Sequence, residues 1–414
     1  MPLLVTGLLV VVAGLAVSWF AAQKVRSRQR VAASVLGIAL LAVGTITAGL
    51  YTWALTATDT SQLARTLVWG DSRFGDQDRF PTRPMTAAST PITFDEAIDS
   101  PVSGYVDVRS EQHLEQLLES TDTTAFIVIH GDVLLFEGYY NGSSRSSTQT
   151  SFSVAKSFIS TLIGIAIEDG FIGDLDQPLT AYVPELAERD PRFSAITLRH
   201  LLVMSSGLSF NDGWSPRADP ANTYHGTNLR SAAIEKPTIV DAPGIVFDYN
   251  DWNVILLGLV LERATNMSVA EYMETRLWQP MGAEAEGSWS LDSESHGFEK
   301  MFVGVNGRAI DFAKLGWLYL HNGQADDRQV VPVDFVEEAT RLDTKTDPAA
   351  DYQYLWWVDQ TRPSSYYAHG DHGQFIYVDP AADLVIVRHG RNGDYDWIRF
   401  IGDLADWLQP QLGG

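Results

Sequence analysis

Two long uncharged runs open the chain, residues 1–23 and 31–58. Each can cross a bilayer core as a helix, which takes roughly 20 apolar residues. Tyr51 and Trp53 stand near the outer end of the second run, where amphipathic rings favour the membrane interface. The pattern therefore predicts two transmembrane helices, a hairpin, over residues 1–58. From residue 59 to 103 neither a period of 2 nor one of 3.6 is sustained, and Pro, Thr, Ser, Asp and Arg are frequent. Prolines disfavour helix, and Trp69, Phe74 and Phe80 would want burial, so this stretch is expected as an extended arm or linker lying on the body that follows.

In the body, residues 104–414, a short amphipathic helix is expected over 111–119. Ala125-Phe126-Ile127-Val128-Ile129-His130 and Val133-Leu134-Leu135-Phe136-Glu137-Gly138-Tyr139-Tyr140 flank Gly131-Asp132, which is a hairpin signal. Helical spacing then dominates: after Ser153, from the capping Thr197 to Met204, over 254–262 and 269–277, and over 308–321 with Phe312, Leu315, Leu318 and Tyr319 inward. Strand character returns at Gln374-Phe375-Ile376-Tyr377-Val378 and Leu384-Val385-Ile386-Val387-Arg388, and residues 397–408 read as a closing helix. Strands at both ends with helices between them predict an α/β (α+β) body: an antiparallel sheet built from distant segments and flanked by helices, with a mainly helical lobe inserted.

Charge changes the picture at the N-terminus. Lys24, Arg26, Arg28 and Arg30 sit between the two apolar runs, and the first thirty residues hold no acid. The positive-inside rule places that turn in the cytoplasm and the body outside, as a two-pass protein of the cell membrane with an extracytoplasmic domain. A cleaved signal peptide carries its positive charge before the apolar segment, whereas here the charge follows it. The net charge of -23 argues against a nucleic-acid partner, and the absence of cysteine excludes disulfides and thiolate metal sites.

The candidate chemistry centres on Ser151-Phe152-Ser153-Val154-Ala155-Lys156. Ser153 and Lys156 stand three apart at the start of an apolar helix, hence on one face. A serine hydroxyl is a poor nucleophile at neutral pH, and a lysine takes its proton only where burial or a nearby cation keeps the amine partly neutral. Of the six lysines only Lys156 has a serine three residues before it. Taken alone, the pair fits equally well a serine-capped helix start with a solvated lysine. Tyr249, on a loop before the helix at 254–262, could relay a proton to a leaving group, or simply pack at a helix start. Gly370 and Gly373, at the entrance to a late strand, allow backbone to approach a bound group and offer an N–H to an oxyanion. The spacing of His369, His372 and His389 is not that of a metal-binding helical pair.

Ser153-x-x-Lys156, Tyr249 some hundred residues on and a glycine-containing strand entrance follow the order found in the penicillin-recognising serine hydrolases. The chain resembles that β-lactamase/transpeptidase-like superfamily, which includes class C β-lactamases and penicillin-binding proteins, and within it the 6-aminohexanoate-dimer hydrolase branch. The branch resemblance is carried by Ser206-Gly207-Leu208, Leu277-Trp278-Gln279-Pro280-Met281-Gly282-Ala283-Glu284, Asp311-Phe312-Ala313-Lys314-Leu315-Gly316 and Gly370-Asp371-His372-Gly373-Gln374.

The resemblance implies Ser153 as nucleophile, Lys156 as its base, Tyr249 as relay, and the backbone N–H groups of Ser153 and Asp371 as oxyanion hole. It implies substrate contacts from His369, Gly370, Asp251, Trp214 and Asp219, and no metal or cofactor. Two positions depart from the pattern: Tyr-x-Asn is Tyr249-Asn250-Asp251, and the lysine of Lys-Thr-Gly is Ala368. The missing cation removes an anchor for a β-lactam or peptide carboxylate. The expected activity is therefore hydrolysis of a small ester or short linear amide. The alternatives are a catalytically silent binding or sensor protein of the same fold, or a cell-wall DD-peptidase or β-lactamase using Arg308 or Arg362 as anchor.

Overall fold

The computed structural model describes residues 27–97, 101–213, 215–343 and 348–412, and the chain divides into two units. The first unit comprises the N-terminal 72 residues and residues 212–227. Its long helix, Ser27–Thr56, contains a stretch, Ser34–Thr56, of 23 residues that is long and apolar enough to cross a membrane. Val35, Leu36, Ile38, Val43, Ile46 and Leu50 are exposed along it. This is the second of the two expected spans; the first, residues 1–23, lies outside the described residues. The helix Gln62–Trp69 follows, capped by Ser61. Buried Arg65 donates to Thr58 O at 2.6 Å and Gly226 O at 3.2 Å, and Gln62 reaches Pro216 O and Ala221 O, which ties residues 212–227 to this unit.

The second unit is a mixed α/β body around an eight-stranded sheet. Its order is Tyr352–Gln353, Trp356–Val358, Tyr366–Gly370, Gln374–Asp379, Leu384–Gly390, Thr123–His130, Val133–Tyr139 and Asp95–Glu96, all antiparallel except the last pair. The two expected hairpins form around Gly131-Asp132 and Asp379–Asp383, and pairing of Leu384–Gly390 with Thr123–His130 brings the ends of the body together. Both faces are covered, so successive residues of Gln374–Asp379 are all buried. Phe375, Tyr377, Phe126 and Ile386 face a cluster with Leu114, Leu117, Trp397, Phe400 and Leu404. On the opposite face Ile376, Val378 and Val385 lie against Gly316 of the helix Ala309–Leu320, which approaches so closely that a Cβ at 316 would press on Ile376 and Val385.

A second sheet, of four strands, runs Thr82–Met85, Gly287–Ser290, Val305–Gly307 and Gln149–Thr150. Thr82–Met85 lies within the stretch expected as an arm, and Arg83 pairs with buried Glu299 behind it. The helix Ala155–Glu168 is buried without interruption from Ala155 to Ala166, its polar Lys156, Ser157, Ser160 and Thr161 included, and it packs against the helix Asp251–Thr265.

Candidate active site

The smaller sheet leads directly into the Ser153 turn. Ser151 N–H donates to Val305 O at 2.8 Å, and Val305 N–H donates to Ser151 Oγ at 3.0 Å, so the turn is held from both sides. Phe152 then adopts φ 43°, a left-handed conformation that costs a non-glycine residue on the order of 1 kcal/mol or more. A 3-10 turn, Phe152–Val154, opens the buried helix and leaves Ser153 half-buried at its mouth.

One helical turn on, Lys156 is 2% exposed. Its Nζ lies 2.9 Å from Ser153 Oγ, 2.9 Å from Asp251 Oδ1 and 3.3 Å from Phe302 O. It also stands 4.8 Å from the centre of the Tyr249 ring. Burial pulls the pKa of Lys156 down, but the charges and hydrogen bonds of Asp251 and Tyr249 outweigh it and hold the ammonium above its ordinary range. The amine is thus buried, as the sequence suggested, yet its close neighbour is a carboxylate rather than a cation.

Tyr249 is fixed by the residues on either side of it. Asp248 N–H donates to Met204 O at 2.8 Å; Asn250 Nδ2 donates to Leu208 O at 3.0 Å, and Asn250 Oδ1 caps the helix Asp251–Thr265 by accepting from Trp252 N–H at 2.9 Å. Ser206 Oγ donates to Asn253 Oδ1 at 2.5 Å and ties the same loop to the helix. The phenol ring stacks near Trp357 at 5.9 Å and meets Tyr352 edge-on at 5.9 Å.

The third wall is the strand Tyr366–Gly370 and the turn Asp371–Gly373. A Cβ on Gly370 would stand 2.5 Å from Ser151 O and 3.0 Å from Ser153 N, so only glycine lets this strand close on the nucleophile turn. The turn is gripped from behind by Gln374 and Arg388. Gln374 Nε2 donates to Asp371 O at 3.0 Å and Gly390 O at 2.7 Å. Arg388 places all five guanidinium N–H groups: on Thr123 Oγ1, His372 O, Gly373 O, Thr121 O and Asn392 O, at 2.6–3.2 Å. Its guanidinium also lies 3.6 Å over the Trp397 ring. His369 stacks on Phe375 at 4.6 Å with one edge in solvent. Loss of water around the ring lowers its pKa, and the Lys156 charge adds to this against the opposing pull of Asp371.

Ser153, Lys156, Tyr249, Asp251 and Gly370 therefore converge, and Asp371 follows Gly370 at the start of the turn. Asp251, expected among substrate contacts, is ion-paired with Lys156, because it occupies the first helical position two residues past Tyr249. Asp219 begins the helix Asp219–Tyr224 of the first unit, and Trp214 lies outside the described residues. Sequence reasoning missed the Phe302 carbonyl, Gln374 and Arg388. The position of Asp251 beside Tyr249 was a usable signal; Arg388, ending an apolar strand, reads as an ordinary edge charge.

Comparison with known proteins gives the family and the fold. The profile of the β-lactamase family matches residues 111–390. The chain is 31% identical over 304 residues to the 6-aminohexanoate-dimer hydrolase of Paenarthrobacter ureafaciens, which covers 66% of this chain and 74% of that one. It is 26% identical over 227 residues to Esterase EstB of Burkholderia gladioli, covering 51% of this chain and 57% of the esterase. Among solved structures, a Bacillus anthracis protein assigned as a 6-aminohexanoate-dimer hydrolase shares the fold with a TM-score of 0.70 at 24% identity, over 81% of this chain and 92% of that one.

Proposed function

We propose, for a chain that belongs to the β-lactamase family of serine hydrolases, that it cleaves a small carboxylic ester or short linear amide through an acyl-enzyme on Ser153, from a domain anchored to the cell membrane. The observation that carries this reading is the 2.9 Å contact of Ser153 Oγ with the buried amine of Lys156, beside Tyr249. Ser153 Oγ attacks the carbonyl carbon, and backbone N–H groups of Ser153 and Asp371 hold the oxyanion. Lys156 and Tyr249 carry the serine proton to the leaving group, and water then releases the acid.

Relatives on both sides support the breadth of substrate: one is named for an amide dimer, another as an esterase. Arg362 is engaged by Asp359, Asp403 and Asp406, which weakens the case for it as an anchor of a peptide carboxylate. The apolar helix Ser34–Thr56, with the uncharged run before it, supports two membrane spans over residues 1–58, an arm over 59–103 and the hydrolase body over 104–414 on the extracytoplasmic side.

The test is hydrolysis of short p-nitrophenyl esters by wild type and Ser153→Ala. The variant is expected to fold and to lose turnover by a hundredfold or more; equal activity would reject the nucleophile. A membrane-impermeant fluorophosphonate applied to intact cells is expected to label Ser153, and labelling only after lysis would reject the topology. A resting ammonium at Lys156 also suits a protein that binds without turning over. Repeated turnover of an ester excludes that second reading.

A further inference from the structure

We infer that Asp251 is a positioning residue for the nucleophile: it holds the buried amine of Lys156 as an ammonium against Ser153, and so sets the pH above which Ser153 becomes reactive. The inference rests on the assignment of Ser153 as nucleophile made above.

The geometry is that of a saturated cation. An ammonium has three N–H groups, and around Lys156 Nζ stand Ser153 Oγ and Asp251 Oδ1 at 2.9 Å and Phe302 O at 3.3 Å, with the Tyr249 hydroxyl as a further partner. In this state the nitrogen has no lone pair with which to take the serine proton. It becomes a base only after losing one proton. It can then keep its bonds to Asp251 and the Phe302 carbonyl and turn the freed lone pair toward Ser153 Oγ.

The groups facing Lys156 decide how readily that proton leaves. On the loop and helix start they are Tyr249 and Asp251, with Tyr352 behind the Tyr249 ring. On the segment at 298–303 the Phe302 ring is shared by two amines, its centre 5.4 Å from Lys156 Nζ and 5.5 Å from Lys300 Nζ. On the strand it is His369, whose lowered pKa keeps it neutral at ordinary pH, followed by Asp371. Asp251 is the carboxylate in direct contact with the amine, and the first turn of the helix Asp251–Thr265 favours its negative charge. Burial favours loss of the proton; Asp251, and after it Tyr249, oppose it.

Once the amine is neutral, the Ser153 Oγ–C bond forms as the Oγ proton moves to Lys156 Nζ and the carbonyl electron pair moves onto oxygen. On collapse the bond to the leaving group breaks, and the leaving atom takes that proton by way of the Tyr249 hydroxyl. Water repeats the sequence in deacylation. Asp251 takes no part in bond making, so its removal alters when the site is active more than how it reacts.

Asp251→Asn tests this, because an amide oxygen still accepts from Lys156 while the charge is gone. With the full-length chain in detergent, kcat/KM for a short p-nitrophenyl ester and the rate of fluorophosphonate labelling are followed against pH. The acidic limb of both is expected to move to lower pH by about 1 to 3 units, the usual effect of one close opposite charge, and Asp251→Glu is expected to restore it. An unmoved limb, or one displaced upward, overturns the inference. Should Asp251→Asn not fold, the wild type decides: with 13C at lysine Cε and only six lysines to assign, the Lys156 signal should remain that of an ammonium through neutral pH, and a neutral amine there overturns the inference. Labelling that survives in Ser153→Ala would defeat the nucleophile assignment; labelling confined to Ser153 with an unmoved limb would defeat only the role of Asp251.

Discussion

Gly370 presses on the backbone of Ser151 so closely that a methyl group at position 370 would lie 2.5 Å from the Ser151 carbonyl oxygen. Its own torsion, φ -135°, is open to any residue, so the demand for glycine is one of contact rather than conformation. Gly370→Ala must therefore part the strand from the nucleophile turn. Overpacking of this kind costs about 1–3 kcal/mol of stability. The separation of Asp371 N–H from Ser153 should cost on the order of a hundredfold in kcat, the usual effect of losing one oxyanion donor. Kinetics beside a thermal melt check it; a destabilised variant with wild-type kcat would show that the strand does not serve the oxyanion.

Tyr249 is locked by its neighbours and by Trp357, so removal of its hydroxyl should leave the ring in place. Tyr249→Phe is expected to lower kcat by about a hundredfold to ten-thousandfold with little change in KM, as loss of a general acid–base group does. Stopped-flow release of p-nitrophenol measures it. An unchanged kcat would return Tyr249 to a packing role at a helix entrance.

The two hairpins, the closing helix and the apolar helices were legible because each rests on a local period, and local period survives packing. The smaller sheet was not: its strands are two to four residues long, Thr82–Met85 contains Pro84, and its partner Gly287–Ser290 lies two hundred residues away. The union of residues 212–227 with the N-terminal helices is equally non-local. Within the site, Ser153 and Lys156 follow from helical spacing alone, whereas the Asp251–Lys156 pair depends on two helices meeting, Ala155–Glu168 and Asp251–Thr265. Arg388 was the hardest to read, since nothing local tells a strand-end arginine in solvent from one that organises a turn.

Arg388 carries a buried charge with, among the described residues, no carboxylate in hydrogen-bond contact; four carbonyls, one hydroxyl and the Trp397 face satisfy it. Burial brings its pKa down to about 9, so it stays charged at neutral pH. Lysine cannot reproduce five planar donors or the stacking. Arg388→Lys should therefore leave carbonyls of the Asp371–Gly373 turn unsatisfied and cost about 2–4 kcal/mol, at one to three per buried group left unpaired. Because the turn carries the proposed oxyanion donor, kcat should fall more than KM rises. Denaturant unfolding and steady-state kinetics separate the two effects; unaltered kcat in a destabilised protein would confine Arg388 to structure.

His389 makes a pH-dependent contribution whose sign can be worked out. Gln374 Nε2 donates to two carbonyls, so its Oε1 is the acceptor that faces His389 Nδ1 at 3.0 Å, and Nδ1 carries the proton of a neutral ring. Burial, and after it the charge of Arg388, pushes the pKa of His389 down to about 3, against about 6.5 in an unfolded chain. Above about 6.5 neither state binds the proton and the native ring is not penalised. As the pH falls from there toward 3, the unfolded chain takes up a proton that the native protein refuses, and stability declines by at most about 1.4 kcal/mol per pH unit from this group. His389→Asn keeps an N–H near the position of Nδ1 and removes the titration. The difference between the urea midpoints of variant and wild type should therefore shrink steadily between about pH 6.5 and pH 4. Carboxylates elsewhere titrate alike in both proteins and cancel in that difference, so two parallel curves would mean that His389 is protonated in the folded state.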